Sequence, residues 1–361
     1  MTEPHPAASG VADAATRSLL GALVADAVAL PVHWYYDVAA LDRDYPELCR
    51  LPESLDYLAP RSPHPDSILW RSSYVAAGPQ FDILGDQATF WGRRGVHYHQ
   101  LLPAGGNTLN FQLAVELYRM LRRDRDYDPE RWLDHYVAFM RAPARHRDTY
   151  VEEYHRHFFT NLAAGRKPIN CGVRDVHIGG LVPVPAIVAG LGPRHPDLRR
   201  IVRLHVSLTH KDDDVLAAAD AFTRMLVRLT REDRPPEDLR TVLLEEGRDW
   251  ISAARAAEWQ RRCDSLGGVC PDRAVVGGVL SPACYIPDAF PAALFFAWRH
   301  ADDFAAGIRA NALCGGDNCH RGVVVGALLA AAATIPSRLL AGLAAGDRVD
   351  LSFRSVPGAL P

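Results

Sequence analysis

Residues 314–332, CGGDNCHRGVVVGALLAAA, join seven residues of site-like chemistry to a run of small apolar ones. Gly315 and Gly316 precede Asp317, Asn318, Cys319, His320 and Arg321, a composition that suits a capped helix start and also supplies bases and ligands. Further on, Gly322, Gly326 and Ala330 recur at every fourth position, so one helix face is nearly bare and a neighbour can approach closely. The pattern predicts a central, buried helix over 322–335, whose apolar run is too short for the ~20 residues of a membrane span. Cys319 and His320 are adjacent, hence about 100° apart around a helix, and make a poor nucleophile–base pair for each other.

Outward from this stretch the periodicity is helical. Apolar residues recur at spacings of three and four over 11–30, 109–121, 132–140, 198–205, 215–229, 239–251 and 292–298. Strand-like alternation is scarce, and helix starts are legible at Asn107, at Asp212-Asp213-Asp214 and at Asp302-Asp303. The expected fold class is all-α. Residues 43–103 differ, being rich in Pro, Ser, Tyr, Trp and Asp, and read as a loop-rich insert that covers a site. Residues 1–10 read as a disordered leader, and 11–361 as one domain.

Composition narrows the function classes. The 361 residues carry 48% hydrophobic and 23% charged side chains and a formal charge of −3, which offers no electrostatic footprint for nucleic acid or membrane. Seven cysteines without a CxxC pair indicate neither a disulfide framework nor a zinc knuckle, and fit a reducing, cytoplasmic setting. The apolar run 19–32 is interrupted by Asp26 and reads as a buried helix.

Two further segments carry chemistry. In GALVADAVALPVHWYYD, residues 21–37, Asp26 lies amid apolar neighbours, where an unpaired carboxylate costs several kcal/mol, so it needs a partner or a pocket. His33 follows at the negative end of that helix, and Trp34, Tyr35 and Tyr36 offer flat surfaces for a base or sugar. In LPAGGNTLNFQLAVELYRML, residues 102–121, Gly105 and Gly106 precede Asn107 and Thr108, and a Gly-rich helix start is also an anion site. Of the fifteen histidines, His97 and His99 form a conceivable ligand pair, with core or surface roles the commoner alternative; HRH at 155–157, His205 and His210 are further clusters.

Taken together, GALVADAVALPVHW, AGGNTLNFQLA, IGGLVPVPAIVAGL, VSLTHKDDDVLAAADAFTRML and AALFFAWRHADDFAAGIRANALCGGDNCHRGVVVGALLAA resemble, in order, the segments of the ADP-ribosylglycohydrolase family. The resemblance implies a single orthogonal helical bundle and an enzyme that releases ADP-ribose from proteins with two magnesium ions. This chain departs from the family's ligands. Gly106 and Asn107 stand where an acidic pair precedes Thr108, His33 replaces a glutamate, and Cys319 and His320 replace the last Asp and Thr. Asp317 alone remains of the five carboxylates, which excludes the unaltered two-magnesium centre and leaves room for one substrate-carried magnesium. The substitutions look most like the branch of J-type crystallins and selenoprotein J.

The reading that follows is a divergent glycosidase acting on a small ribosyl or nucleotide-like molecule. Asp317 is its candidate base and His33 or His320 its candidate acid. Asp26, Trp34, Tyr35, Gly105, Gly106, Asn107, Thr108, Asn318 and Cys319 are the expected substrate-binding residues. A non-catalytic, crystallin-like ligand binder is the alternative, and a Cys319-dependent transferase is a third reading.

Overall fold

The computed structural model describes residues 13–50, 52–65, 67–346 and 349. The leader expected at 1–10 lies outside them. Its helices are α1 (Ala14–Ala29), α2 (Val38–Asp44), α3 (Leu109–Asp124), α4 (Pro129–Met140), α5 (Pro143–His146), α6 (Glu153–Ala163), α7 (Pro183–Leu191) and α8 (Leu198–Ser207). They continue with α9 (Asp213–Thr230), α10 (Leu239–Glu246), α11 (Ala253–Leu266), α12 (Ile286–Arg299), α13 (Phe304–Leu313), α14 (Asn318–Ala332) and α15 (Ser337–Gly342). Among the described residues no strand forms, only isolated bridges such as His177 with Tyr285. The all-α expectation holds.

The bare face of α14 meets an equally bare face of α1. A Cβ added to Gly326 would stand 2.2 Å from the Gly21 carbonyl oxygen, and one added to Gly21 2.3 Å from that of Gly326. The two backbones therefore touch, and any side chain here would force the helices apart. This pair forms the axis of one continuous cluster of buried apolar side chains that runs from Ala15 to Val349. The stretch Ala14–Val32 is long and apolar enough to cross a membrane, yet 94% of its most apolar window is packed inside the protein.

Four departures from the expected helices have local causes. Helix α7 is apolar almost throughout, so it shows little periodicity, and α11 carries mostly polar residues around three buried ones. Helix α12 starts at Ile286 rather than 292, because Pro291 is accommodated inside it instead of ending it. The 239–251 pattern stops at Glu246, where Gly247 closes α10.

The segment 43–103 is a series of short 3-10 turns, at Pro46–Cys49, Pro52–Ser54, Ile68–Trp70, Pro79–Phe81 and Gly85–Phe90. It sends histidines inward. His64 Nε2 lies 3.0 Å from the His33 carbonyl and His97 Nε2 2.8 Å from that of Pro31, so this segment clamps the end of α1.

Candidate functional site

The first function of Gly315 and Gly316 is geometric. Both adopt left-handed backbone, with φ of 62° and 64°. A Cβ on Gly315 would stand 2.1 Å from the Tyr35 carbonyl oxygen, and one on Gly316 2.0 Å from that of Pro282. Reciprocal bonds, Trp34 N to Gly316 O and Gly316 N to Tyr35 O, tie the end of α1 to the start of α14. Buried Arg321 completes the clamp by donating to Gly315 O, Pro282 O and Asn311.

This clamp delivers Asp317 beside His33. Asp317 Oδ1 lies 2.9 Å from His33 Nε2 and 2.7 Å from His320 Nδ1, and it caps α14 through the His320 amide. His33 Nδ1 meets His99 Nε2 at 2.6 Å, and His99 Nδ1 meets Asp148 Oδ1 at 2.6 Å. The result is a buried Asp148–His99–His33–Asp317 path. Burial opposes charge on both carboxylates, but neighbouring histidines and hydrogen bonds hold Asp317 well below, and Asp148 below, the usual carboxylate range. Burial pushes His33 down to about 3, whereas for His320 the Asp317 charge and bond outweigh burial and push it up to about 9.

The other oxygen of Asp317 is different. It is wholly buried, and among the described residues it has no hydrogen-bond partner. It faces His177 Nε2 at 3.4 Å, and Glu152 Oε2 faces the same nitrogen at 3.5 Å, both too long for a strong bond. His177 Nδ1 accepts the Gly179 amide at 2.8 Å, so its single proton sits on Nε2, between the two carboxyl groups. Burial pushes Glu152 up to about 8 and keeps His177 neutral, down at about 3. At neutral pH one carboxyl is therefore largely protonated and its neighbour ionised. Half-buried Cys284 has its sulfur within 4.8 Å of buried Asp317, and Tyr36 and Tyr285, 49% and 56% exposed, stand beside them.

The second Gly-containing helix start is closed. Asp26 accepts from Asn107 Nδ2, Thr108 N and Thr108 Oγ1 at 2.8–2.9 Å, and Asp148 Oδ2 accepts from Leu109 N at 2.8 Å. The anion expected at this start is thus a pair of internal carboxylates, which take the Thr108 and Leu109 amides. Gly105 is left-handed and lies against the Gly342 carbonyl, while Gly106 packs on Pro103.

Several expected contacts turn inward for the same reason. Trp34 is buried and stacks on His33 at 4.2 Å, with its φ of 60° held by the bond to Gly316. Tyr35 is buried against His64 and donates to Asp44. Asn318 holds the Val32 and Ala312 carbonyls. Cys319 lies against the Asp26 carbonyl, and burial pushes its thiol far up, which leaves no thiolate for a transferase. Glu152, His177 and Asp148 escape the sequence reading. Asp148 and Glu152 have one local signal, the density of polar residues at 146–157, HRDTYVEEYHRH, and His177 has none.

The comparisons with known proteins agree with this architecture. The model of the ADP-ribosylglycohydrolase family matches residues 7–355. The chain belongs to the ADP-ribosylglycohydrolase family. Crystallin J1A of Tripedalia cystophora is 24% identical over 341 residues, covering 93% of this chain and 94% of the crystallin. A solved structure described as an ADP-ribosylglycohydrolase-related protein complex superposes with a TM-score of 0.57 at 21% identity, covering 93% and 94% of the two chains, which supports the fold.

This member of the family does not offer a magnesium pair its ligands. Of the buried carboxylates, Asp26 and Asp148 are spent on the α3 start, and the open edge of Asp317 faces an N–H and a thiol rather than oxygens. Three other clusters, His33/Asp317/His320, Glu152/His177/His320 and His177/Cys284/Asp317, have donor atoms within 4.8 Å. In the first, the atoms bond each other at 2.9 and 2.7 Å, closer than the about 3.3 Å that separates donors around a tetrahedral ion. The other two depend on His177 Nε2, which carries the proton.

Proposed function

We propose that the protein hydrolyses a glycosidic bond of a small ribosyl compound with two carboxyl groups, Glu152 as acid and Asp317 as ionised partner. The observation that supports this most is the open edge of Asp317. One oxygen is locked by two histidines, while the other and Glu152 converge on one proton-bearing nitrogen. Leaving a buried carboxylate oxygen unbonded costs roughly 1–3 kcal/mol, and a purely structural residue has no reason to retain it.

In the reaction, Glu152 gives its proton to the leaving group as the bond to the anomeric carbon breaks and its electron pair departs with that group. The positive charge that develops on the sugar faces Asp317, which takes a proton from the attacking water. Glu152 replaces His33 and His320 as the acid, because both ring nitrogens of each histidine are already bonded inside the network. Tyr36 and Tyr285 replace Trp34 and Tyr35 as the surfaces on which a ring stacks. His177 keeps the two carboxyl groups in register.

Release of free sugar from a panel of N- and O-ribosyl compounds tests this reading, with EDTA present and absent. The expected result is turnover indifferent to EDTA, reduced about 10²–10⁴-fold in Glu152→Gln and abolished in Asp317→Asn. Loss in EDTA with recovery on added magnesium refutes the metal-free mechanism. The likeness to Crystallin J1A favours a second reading, a non-catalytic protein; no turnover of any compound by the wild type would decide for it.

A further inference from the structure

Two buried thiols that the proposed hydrolysis does not use lie in contact. All seven cysteines are free, and the Cys270 and Cys314 sulfurs are 3.7 Å apart. A disulfide holds its sulfurs at about 2.05 Å, so a bond needs the pair to close by about 1.6 Å, shared between two side chains. The backbones beneath them are fixed without the sulfurs. Arg273, in the 3-10 turn Pro271–Ala274 that Cys270 opens, donates its amide to the Cys270 carbonyl and its Nε and Nη2 to the Leu313 carbonyl, the last two at 3.0 and 2.7 Å. Its Nη1 and Nη2 also hold Asp42 of α2, at 2.7 and 2.6 Å. Cys314 follows Leu313 and ends α13, its amide bonded to the Ala310 carbonyl.

The two cysteines stand on unequal ground. Cys270 follows an exposed turn in which Gly267 and Gly268 have φ of 64° and 84°, and a Cβ on either would meet nothing within 4 Å. Cys314 precedes Gly315 and Gly316, where a Cβ would collide with the Tyr35 and Pro282 carbonyls. The closing movement therefore falls on Cys270, and movement of the same turn admits a small oxidant to its sulfur. Cys314 is the thiol that waits. Burial and the neighbouring Cys270 sulfur push it far up, so it reacts only when an activated sulfur is already against it.

We infer that Cys270 and Cys314 are a reversible dithiol–disulfide pair that peroxide oxidises, and that the bond fastens the turn at residue 270 to the lead-in of α14. Peroxide transfers one oxygen to the Cys270 sulfur, which becomes a sulfenic acid as water leaves. The Cys314 sulfur then attacks that sulfur, and the departing hydroxide takes the Cys314 proton away as a second water. Two thiols lose two electrons and two protons, and one peroxide becomes two waters. An external dithiol reverses the bond by exchange.

To test it, the full-length protein is reduced, freed of reductant, exposed to a few equivalents of hydrogen peroxide, alkylated and digested with trypsin. Mass spectrometry is expected to find peptide 263–273 joined to peptide 310–321, with fragmentation placing the bond on Cys270 and Cys314 rather than on Cys263 or Cys319. Dithiothreitol should release it. Cys263→Ala, at a buried neighbour, should keep the link, and Cys270→Ala should abolish it. The linked protein should also melt a few degrees above the reduced one, because the bond closes a loop of about 45 residues in the unfolded chain. The wild-type map decides without any variant: both cysteines still alkylated after oxidation, or a bond between other partners, overturns the inference. A linked protein that melts below the reduced one does so too, since the bond would then break native contacts.

Discussion

The protein has two helix starts of nearly the same sequence construction, Gly105-Gly106-Asn107-Thr108 before α3 and Gly315-Gly316-Asp317-Asn318 at α14, and they do opposite things. At α3 the Thr108 and Leu109 amides are taken by Asp26 and Asp148 from other parts of the chain. At α14 the capping carboxylate belongs to the helix itself and satisfies only one of its oxygens. Two glycines and a polar cap therefore mark a place where the backbone must turn tightly. Whether an anion site remains depends on which distant carboxylate reaches it first.

The sharpest way to break the comparison is to remove the internal anion. Asp26→Ala takes away the acceptor of three buried donors at the α3 start and leaves them inside the protein without water. The expected loss is about 3–5 kcal/mol, the range for deleting one member of a buried polar network. Urea unfolding of both proteins measures it. A loss below 1 kcal/mol would mean that this start tolerates vacancy, and an external anion would again be admissible there.

The α14 side is probed by pH. Glu152 is pushed from the ordinary 4.5 up to about 8 by burial. A carboxyl whose folded value exceeds its unfolded one contributes most below the unfolded value and loses that contribution as pH rises through the folded one. The difference in unfolding free energy between the wild type and Glu152→Gln should therefore fall between about pH 4.5 and 8, by on the order of 2–4 kcal/mol. His320, up to about 9, titrates in both proteins and largely cancels in the difference. A flat difference curve would show that Glu152 ionises like a surface carboxyl, and the proposed acid would be lost.

What the sequence disclosed follows from how far each feature depends on its own helix. The bare face at Gly322, Gly326 and Ala330 is a property of one helix, so its close packing against α1 was legible. Asp317 was legible because its motif is local and its family resemblance specific. Asp148 and Glu152 share the connection between α5 and α6, His177 lies in that between α6 and α7, and they meet Asp317 and His33 only through tertiary packing. No spacing rule links residues 148, 152, 177 and 317. Trp34 and Tyr35 read as open platforms because the histidines and tyrosines that enclose them, His64, Tyr98 and Tyr150, lie far along the chain.

The two starts are not independent, and Asp148 is the tie. Its Oδ2 caps Leu109 at α3, while its Oδ1 begins the path through His99 and His33 to Asp317 at α14. In Asp148→Asn the shape persists, but a neutral amide replaces the carboxylate that holds His99 and, through it, His33 against Asp317. Losing one charge-assisted bond predicts a stability cost of about 1.5–3 kcal/mol. A residue that only caps α3 would show that cost and nothing more. A residue that also positions His33 beside Asp317 should lower kcat about tenfold with KM little changed, since Asp317 acts after substrate is bound. It should also move the lower limb of the kcat–pH profile upward, because Asp317 with a weaker bond from His33 is harder to ionise. An unmoved limb with reduced stability would confine Asp148 to the closed start and cut the link between the two regions.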